Sequence, residues 1–281
     1  DLWRVLKHPV PLVKGAFAVV IAVPVIAWLT VRAFDLPREA EVGIMLMAIA
    51  PGAPVALRRA LAAGGHRAFA PALQILVVAL AVVSIPLLAW AFGPHYAGVA
   101  LIDARQLAWQ VFYVQLLPLA LGIAVGRLFP AHVERHGARL NAIAGWLLAL
   151  LIVLALVNIW RPVATAGWRV TCTVIAITVL ALAVGHALGG PDRAMRSATA
   201  ISCGMRNTGL ALLVAALNRA SESIVAAILV YFVIGAIVVA PYVIWRKGRP
   251  RAPSSGETHG KEQGDGRQAK SGEEQTRQGR R

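Results

Sequence analysis

Long apolar runs separated by short polar breaks dominate this chain up to residue 245. A helix of about 20 apolar residues is long enough to cross the hydrocarbon core of a bilayer. The composition agrees, because 58% of the residues are hydrophobic, only 15% are charged and the mean hydropathy is +0.67. A water-soluble domain and a disordered chain are therefore excluded for most of the length. The pattern predicts an all-α fold, a polytopic bundle of transmembrane helices.

Eight apolar runs are candidate spans, and together they predict one membrane domain over residues 1–245. The spans are expected at about 10–33, 40–63, 70–92, 105–128, 140–160, 168–188, 194–218 and 222–245. Residues 246–281 are rich in Gly, Arg, Gln, Glu and Ser, and they contain almost no apolar residue. This composition predicts a disordered basic tail.

Positive charge between the spans predicts the orientation. If the tail is cytoplasmic, the loops on its side carry eleven Lys and Arg residues before the tail, and the opposite loops carry six. Basic residues concentrate on the cytoplasmic side of membrane proteins. We therefore expect a multi-pass protein of the cell membrane, with both ends of this chain cytoplasmic. The net charge of +15 has the same origin, so no nucleic-acid partner is predicted.

Two of the predicted spans contain strong helix breakers near their middle. The second span carries Pro51-Gly52-Ala53-Pro54, which removes two backbone donors and adds a flexible residue. In the seventh span, Gly204 and Gly209 enclose Met205-Arg206-Asn207-Thr208. Unwound backbone at membrane depth is tolerated only inside protein or beside a wet cavity, and paired broken helices are typical of transporter sites. The pattern predicts two discontinuous helices that form a site for a substrate or an ion.

The positions of the two breaks predict an internal repeat. The broken helix at 194–218 is the fourth of the last five spans. The one at 40–63 would also be fourth of five if two spans preceded the chain. Repeats of five helices insert with opposite orientations, so we expect inverted repeats in a protein of ten spans, of which eight are present here. The start at Asp1 fits a chain that begins partway through a longer protein.

Three segments resemble the bile acid:sodium symporter family. They are the opening DLWRVLKHPVPLVKG, the first break in APGAPVALRRALAAGG and the second break in ATAISCGMRNTGLALLVAALN. The resemblance covers roughly residues 1–245, and the chain is N-terminally truncated relative to the family. It implies ten helices in two inverted five-helix repeats, which carry organic anions, commonly with sodium, beside the crossed helices.

The chain departs from the family where the resemblance implies sodium ligands. The Ser and Asn expected after the first break are replaced by Ala56 and Leu57, and the expected Glu by Ser202. Arg206 stands where a Gln is expected. The site has thus lost a carboxylate and gained a fixed positive charge, so coupling to sodium, to protons or to no ion stays open.

Arg206 is the most informative single residue, because an arginine in mid-span costs about 3 kcal/mol on insertion scales. We expect it to serve as a built-in cation in place of sodium, or to hold an anionic substrate directly. The alternative is a structural role, in which it caps the C-terminus of a half-helix or binds backbone carbonyls.

Other polar residues near the breaks are candidates for the same site. The side chains of Asn207 and Thr208 either meet the substrate or satisfy loose backbone groups. Gln115 either lines the cavity or bonds between helices, and Gln74 is a further candidate for the cavity lining. The substrate- and ion-binding set consists of Pro51, Gly52, Ala53, Pro54, Ser202, Gly204, Met205, Arg206, Asn207, Thr208 and Gly209.

The predicted function is a secondary transporter of a small organic anion that works by alternating access. The alternative is a membrane sensor or binding module that kept the fold without transport. No intramembrane carboxylate pair or catalytic motif is present, so no enzyme, no catalytic residue, no metal site and no cofactor is predicted. The expected partners are the anion and the lipid bilayer, and the sequence makes no prediction of the oligomeric state.

Overall fold

The computed structural model describes residues 9–96, 104–158 and 167–247, and these ranges form helices and short connections. The first two residues of the predicted tail, Arg246 and Lys247, are helical and not disordered, and residues 248–281 lie outside the described residues. In chain order the helices are α1 (Pro9–Phe34), α2 (Arg38–Ile49), α3 (Pro54–Ala62), α4 (Phe69–Phe92), α5 (Ala104–Leu128), α6 (Pro130–Asn158), α7 (Gly167–Leu188), α8 (Arg193–Gly204), α9 (Thr208–Leu217) and α10 (Glu222–Lys247).

The two predicted breaks are present. Between α2 and α3 the chain bends by 62°. The second break separates α8 from α9, which together still pass as one span over Arg193–Leu217. Proline explains the sharper bend, because it lacks the N–H that continues a helix and its ring clashes with the preceding turn.

Two of the continuous helices are widened by π turns. In α1 the π turn is Ala18–Ala22, and in α5 it is Phe112–Leu116. Each π turn ends two residues before a proline, Pro24 or Pro118. A wider turn accommodates the missing N–H and the ring of the proline, which is a known cause of local helix distortion. The sequence analysis did not predict these turns.

The apolar core consists of two clusters. In each of them, one half of the first broken helix packs with one half of the second. One cluster joins α2 to α9, and Ile44, Leu210 and Ile228 are among its buried residues. The other joins α3 to α8, and includes Ala60 and Ile201. The first half of each broken helix therefore packs with the second half of the other, so the two broken helices cross.

Helices α5 and α6 contribute little to this core. Only 6% of the most apolar window of α5 is buried, and α6 exposes large side chains such as Trp146 and Leu151. Exposed apolar surface of this kind suits contact with lipid. Helix α6 also begins at Pro130, so the segment that we expected to be a loop before residue 140 is helical.

The all-α polytopic architecture is confirmed. Within the described ranges, six helices are long and apolar enough to cross a membrane, or seven if the bent pair α2 and α3 is one span. The count of eight spans and the inverted repeats remain predictions.

Helices α2 and α10 approach each other closely at Gly43. A Cβ added there would lie 2.5 Å from the backbone oxygen of Ile224 and 2.7 Å from the Cβ of Ala227. We expect Gly43→Ala to destabilise the fold by about 1–3 kcal/mol, because the helices must separate to admit the methyl group. The measurement is the thermal unfolding midpoint in detergent.

Gly122→Ala is the matched control for Gly43→Ala. Gly122 is also a helical glycine, but a Cβ there meets nothing within 4 Å. Alanine has the better helix propensity, so this variant should unfold at the wild-type temperature or above it. Equal losses in the two variants would contradict the close approach of α2 and α10.

Candidate functional site

The first break leaves backbone carbonyls without their helical donors. In a continuous helix, the carbonyls of Met47 and Ala50 would accept from residues 51 and 54, but both of these are prolines. Ala50 donates its own N–H to the oxygen of Met47 over 3.1 Å, which closes the last turn of α2. The carbonyl oxygens at this end of α2 accept hydrogen bonds from residues of the second break.

Arg206 supplies donors to the end of α2. Its Nε donates to the oxygen of Met47 over 3.4 Å, and its Nη2 donates to the oxygen of Ala48. The side chain is 5% exposed. The guanidinium thus caps the C-terminus of α2, the end at which the helix dipole favours a positive charge.

The third bond of Arg206 reaches the π turn of α1. In an α-helix the oxygen of Val19 would accept from Val23, but the N–H of Val23 donates to Ala18. The next residue is Pro24, which has no N–H. The free oxygen of Val19 accepts from Nη1 of Arg206 over 3.0 Å. One side chain therefore ties α1, α2 and the second break together.

Asn207 completes the crossing. Its backbone N–H donates to the oxygen of Ala50 over 2.9 Å, the acceptor that Pro54 leaves free. Its side-chain Oδ1 accepts from the N–H of Leu210 over 3.1 Å and so caps the N-terminus of α9. Asn207 therefore satisfies backbone groups of both broken helices.

A group of amides surrounds the bend of the first break. Gln74 Nε2 donates to the oxygen of Gly52 over 2.7 Å, and Asn207 Nδ2 donates to Gln115 Oε1 over 3.4 Å. The Nε2 atom of Gln115 is buried and has no hydrogen-bond partner among the described residues. Helices α4 and α5 thus each bring an amide to the crossover.

The other predicted site residues differ in what surrounds them. Pro51, Gly52 and Ala53 are buried at the bend, whereas Pro54 is exposed at the start of α3. At the second break, Thr208 is 6% exposed, while Ser202, Met205 and Gly209 are partly buried. Gly204 is a packing position, because a Cβ there would lie 2.9 Å from a methyl group of Leu182.

The contacts of Arg206 bear on its two interpretations. All three of its hydrogen bonds run to backbone oxygens. This is the arrangement expected if it caps a half-helix and binds carbonyls. A built-in cation at the crossover is compatible with the same contacts, while a direct bond to substrate remains a hypothesis.

A family comparison bears on the whole arrangement. The model of the Sodium Bile acid symporter family matches residues 1–165, which is more than half of the chain. The chain belongs to this family. The match confirms the resemblance found in the sequence and identifies a multi-pass membrane protein of a family of transporters rather than enzymes. It includes the first break, whereas the second break lies beyond it.

A curated relative is the sodium-dependent transporter YocS of Bacillus subtilis (strain 168), described as uncharacterized. It is 25% identical to this chain over 219 residues. The aligned region covers 75% of the chain and 65% of YocS, so the chain spans about two thirds of the length of that relative.

Sequence reasoning found the two breaks but missed their acceptors. Val19, Met47 and Ala48 take part through backbone oxygens, so their side chains give no signal. The available signal was the position of the prolines, because Pro24 and Pro51 each mark a helix that lacks a donor.

Among the described residues, no group of three or more His, Cys, Asp and Glu side chains could hold a metal ion.

The bend at Gly52 depends on the absence of a side chain. Its φ is +81°, and a Cβ would lie 2.9 Å from Cγ2 of Val78 and 3.2 Å from Nε2 of Gln115. We expect Gly52→Ala to lower the thermal unfolding midpoint in detergent, because it adds a steric conflict to the left-handed backbone strain of about 1–2 kcal/mol.

Gly64→Ala separates these two effects. Gly64 has nearly the same backbone angle, φ +79°, but a Cβ there meets nothing within 4 Å. This variant should show the strain alone and lose less stability than Gly52→Ala. If both variants lose the same amount, the contact of the bend with α4 and α5 is not tight.

Proposed function

We propose that this chain is the membrane domain of a secondary transporter for a small organic anion, which binds at the crossing of the two broken helices. The observation that carries the proposal is the bonding of the second break to the first, through Arg206 and through Asn207 N to Ala50 O. Backbone that is unwound and mutually bonded inside a membrane domain is a polar spot in an apolar medium.

The charge and the donors at the crossing support an anion as substrate. The N-termini of α3 and α9 begin at the breaks, and each carries about half a positive charge. Helix α3 has no side-chain cap at Ala53; Pro54 has no N–H and the N–H of Ala56 donates to the oxygen of Ala53, so the N–H of Val55 is the one at this end without a capping bond from a side chain. The amides of Gln74, Gln115 and Asn207 surround the first break, and among them the buried Nε2 of Gln115 is a donor without a hydrogen-bond partner in the described residues. Donors of this kind bind carboxylate and sulfonate oxygens.

Alternating access gives the crossing its role in transport. The two parts of the core, one around α2 and α9 and the other around α3 and α8, meet at the breaks. Rearrangement of the helices around a fixed site would open it to one side of the membrane at a time.

We place the protein in the cell membrane with both ends of this chain cytoplasmic, as the distribution of basic residues indicates.

Asn207→Asp tests the anion site directly. Aspartate keeps the oxygen that caps α9, but it replaces the amide donor by a negative charge that repels an anion. We expect uptake of a radiolabelled bile salt, and of a radiolabelled monocarboxylate, into proteoliposomes to fall at least about tenfold, which is a loss of about 1.4 kcal/mol or more in transition-state stabilisation.

Asn218→Asp is the control at the other end of α9. Asn218 also bonds an amide of α5, with Nδ2 at 3.4 Å from Gln110 Oε1, but it lies away from the breaks. The same change of charge there should leave uptake close to wild type. Equal losses in the two variants would refute the location of the site. Stabilisation by the bile salt without any flux would instead favour a membrane sensor that kept the fold.

A further inference from the structure

The name of the family and the name of its relative YocS both imply sodium, and the crossover offers a natural place for a cation. The C-termini of the half-helices α2 and α8 both end at the breaks. Each helix end carries about half a negative charge, so together they balance about one cation. Backbone oxygens are suitable ligands for a hard cation such as sodium.

The residues present do not fit a sodium ion in that place, because Arg206 already holds it. The oxygens of Met47, Ala48 and Val19 each accept a hydrogen bond from the guanidinium. The side chain is 5% exposed, and arginine stays protonated in proteins. Its single positive charge lies at the end of α2, which it caps, and only two residues beyond the end of α8 at Gly204.

A second cation beside the guanidinium would be repelled strongly. At the effective dielectric constant typical of protein sites, the repulsion between two unit charges about 4 Å apart would weaken the binding of the second cation about a thousand-fold. Negative side chains that could offset this repulsion lie elsewhere among the described residues, at helix ends and in connections such as Asp35, Glu41, Asp192 and Glu222.

We propose that the guanidinium of Arg206 is a tethered substitute for a bound sodium ion, so that the crossover is assembled permanently and this protein neither binds nor requires sodium there. A sodium ion would bond such oxygens only while it is bound. Here the covalently attached cation bonds the same kind of backbone oxygens at all times. This inference rests on the proposed function, in which the crossover is the substrate site of a transporter. Sodium binding at the crossover can nevertheless be measured without measuring transport.

The first test is the response of the wild-type protein to sodium. The purified chain in detergent is unfolded thermally in about 100 mM NaCl, KCl or choline chloride, a concentration at which a millimolar sodium site would stabilise the protein measurably. We expect the same unfolding midpoint in the three salts. A higher midpoint in NaCl alone would overturn the proposal, whatever the variants do.

The second test removes the tethered cation. Arg206→Gln leaves the oxygens of Met47, Ala48 and Val19 without their donor, so its midpoint should fall in choline chloride and recover in part in NaCl. Arg206→Lys keeps a positive charge and should remain insensitive to sodium. Absence of a sodium-specific recovery in a folded Arg206→Gln variant would overturn the proposal. If that variant does not fold, the wild-type and Arg206→Lys measurements still decide, since a sodium response in either one contradicts it.

Arg246→Gln is the matched control. Arg246 is also buried, at 8% exposure, and donates to Ser197 Oγ over 2.5 Å and to the oxygen of Arg193 over 2.6 Å. It lies at the end of α10, away from the breaks, so its loss should lower the midpoint equally in all three salts. A sodium-specific recovery in Arg246→Gln would show that the rescue is not particular to the crossover, and would overturn the proposal.

Flux measurements distinguish this inference from the proposed function. Anion uptake that requires a sodium gradient would refute the tethered cation and leave the transporter intact. Absence of flux for every anion, together with insensitivity to sodium, would refute transport and leave the tethered cation. Uptake that is equal with and without sodium supports both.

Discussion

The central constraint on this structure is that three prolines in membrane helices leave backbone oxygens without donors. Two consecutive residues at the second break supply those donors. Pro24, Pro51 and Pro54 remove the N–H groups, and Arg206 and Asn207 replace them. In a bilayer each unsatisfied oxygen would be costly, because no water reaches it. The crossing of the broken helices is therefore held by the chemistry that the prolines create.

This constraint links the fold to the site. The bonds at the crossing join the end of α2 to the second break, and the apolar core is divided into a part around α2 and α9 and a part around α3 and α8. At the point where those parts meet lie helix ends of both signs, a buried guanidinium and a group of amides. Small residues make the meeting possible, as Gly52 shows, since its bend approaches Val78 too closely for a side chain. The arrangement that stabilises the domain is thus the one that produces a polar site at membrane depth.

The buried arginine has a physical reason for being tolerated. Removal of one partner of a buried charge costs about 3–5 kcal/mol, so a buried guanidinium must be surrounded by acceptors. Arg206 finds backbone oxygens that carry a partial negative charge, at a helix end where the dipole adds to the attraction. Arg246 is buried in the same domain and is likewise bonded to a backbone oxygen and a hydroxyl group.

The sequence by itself determined the class of fold, the two interrupted spans and the family, because apolar length and proline position act locally along the chain. It also singled out Arg206, since an arginine in an apolar run has few explanations. Only the tertiary structure decided what that arginine contacts. Its acceptors, Val19, Met47 and Ala48, are backbone oxygens that lie more than 150 residues earlier in the chain. Side-chain identity carries no record of which distant carbonyl lacks a donor, so the partners of Arg206 follow only from the packed helices.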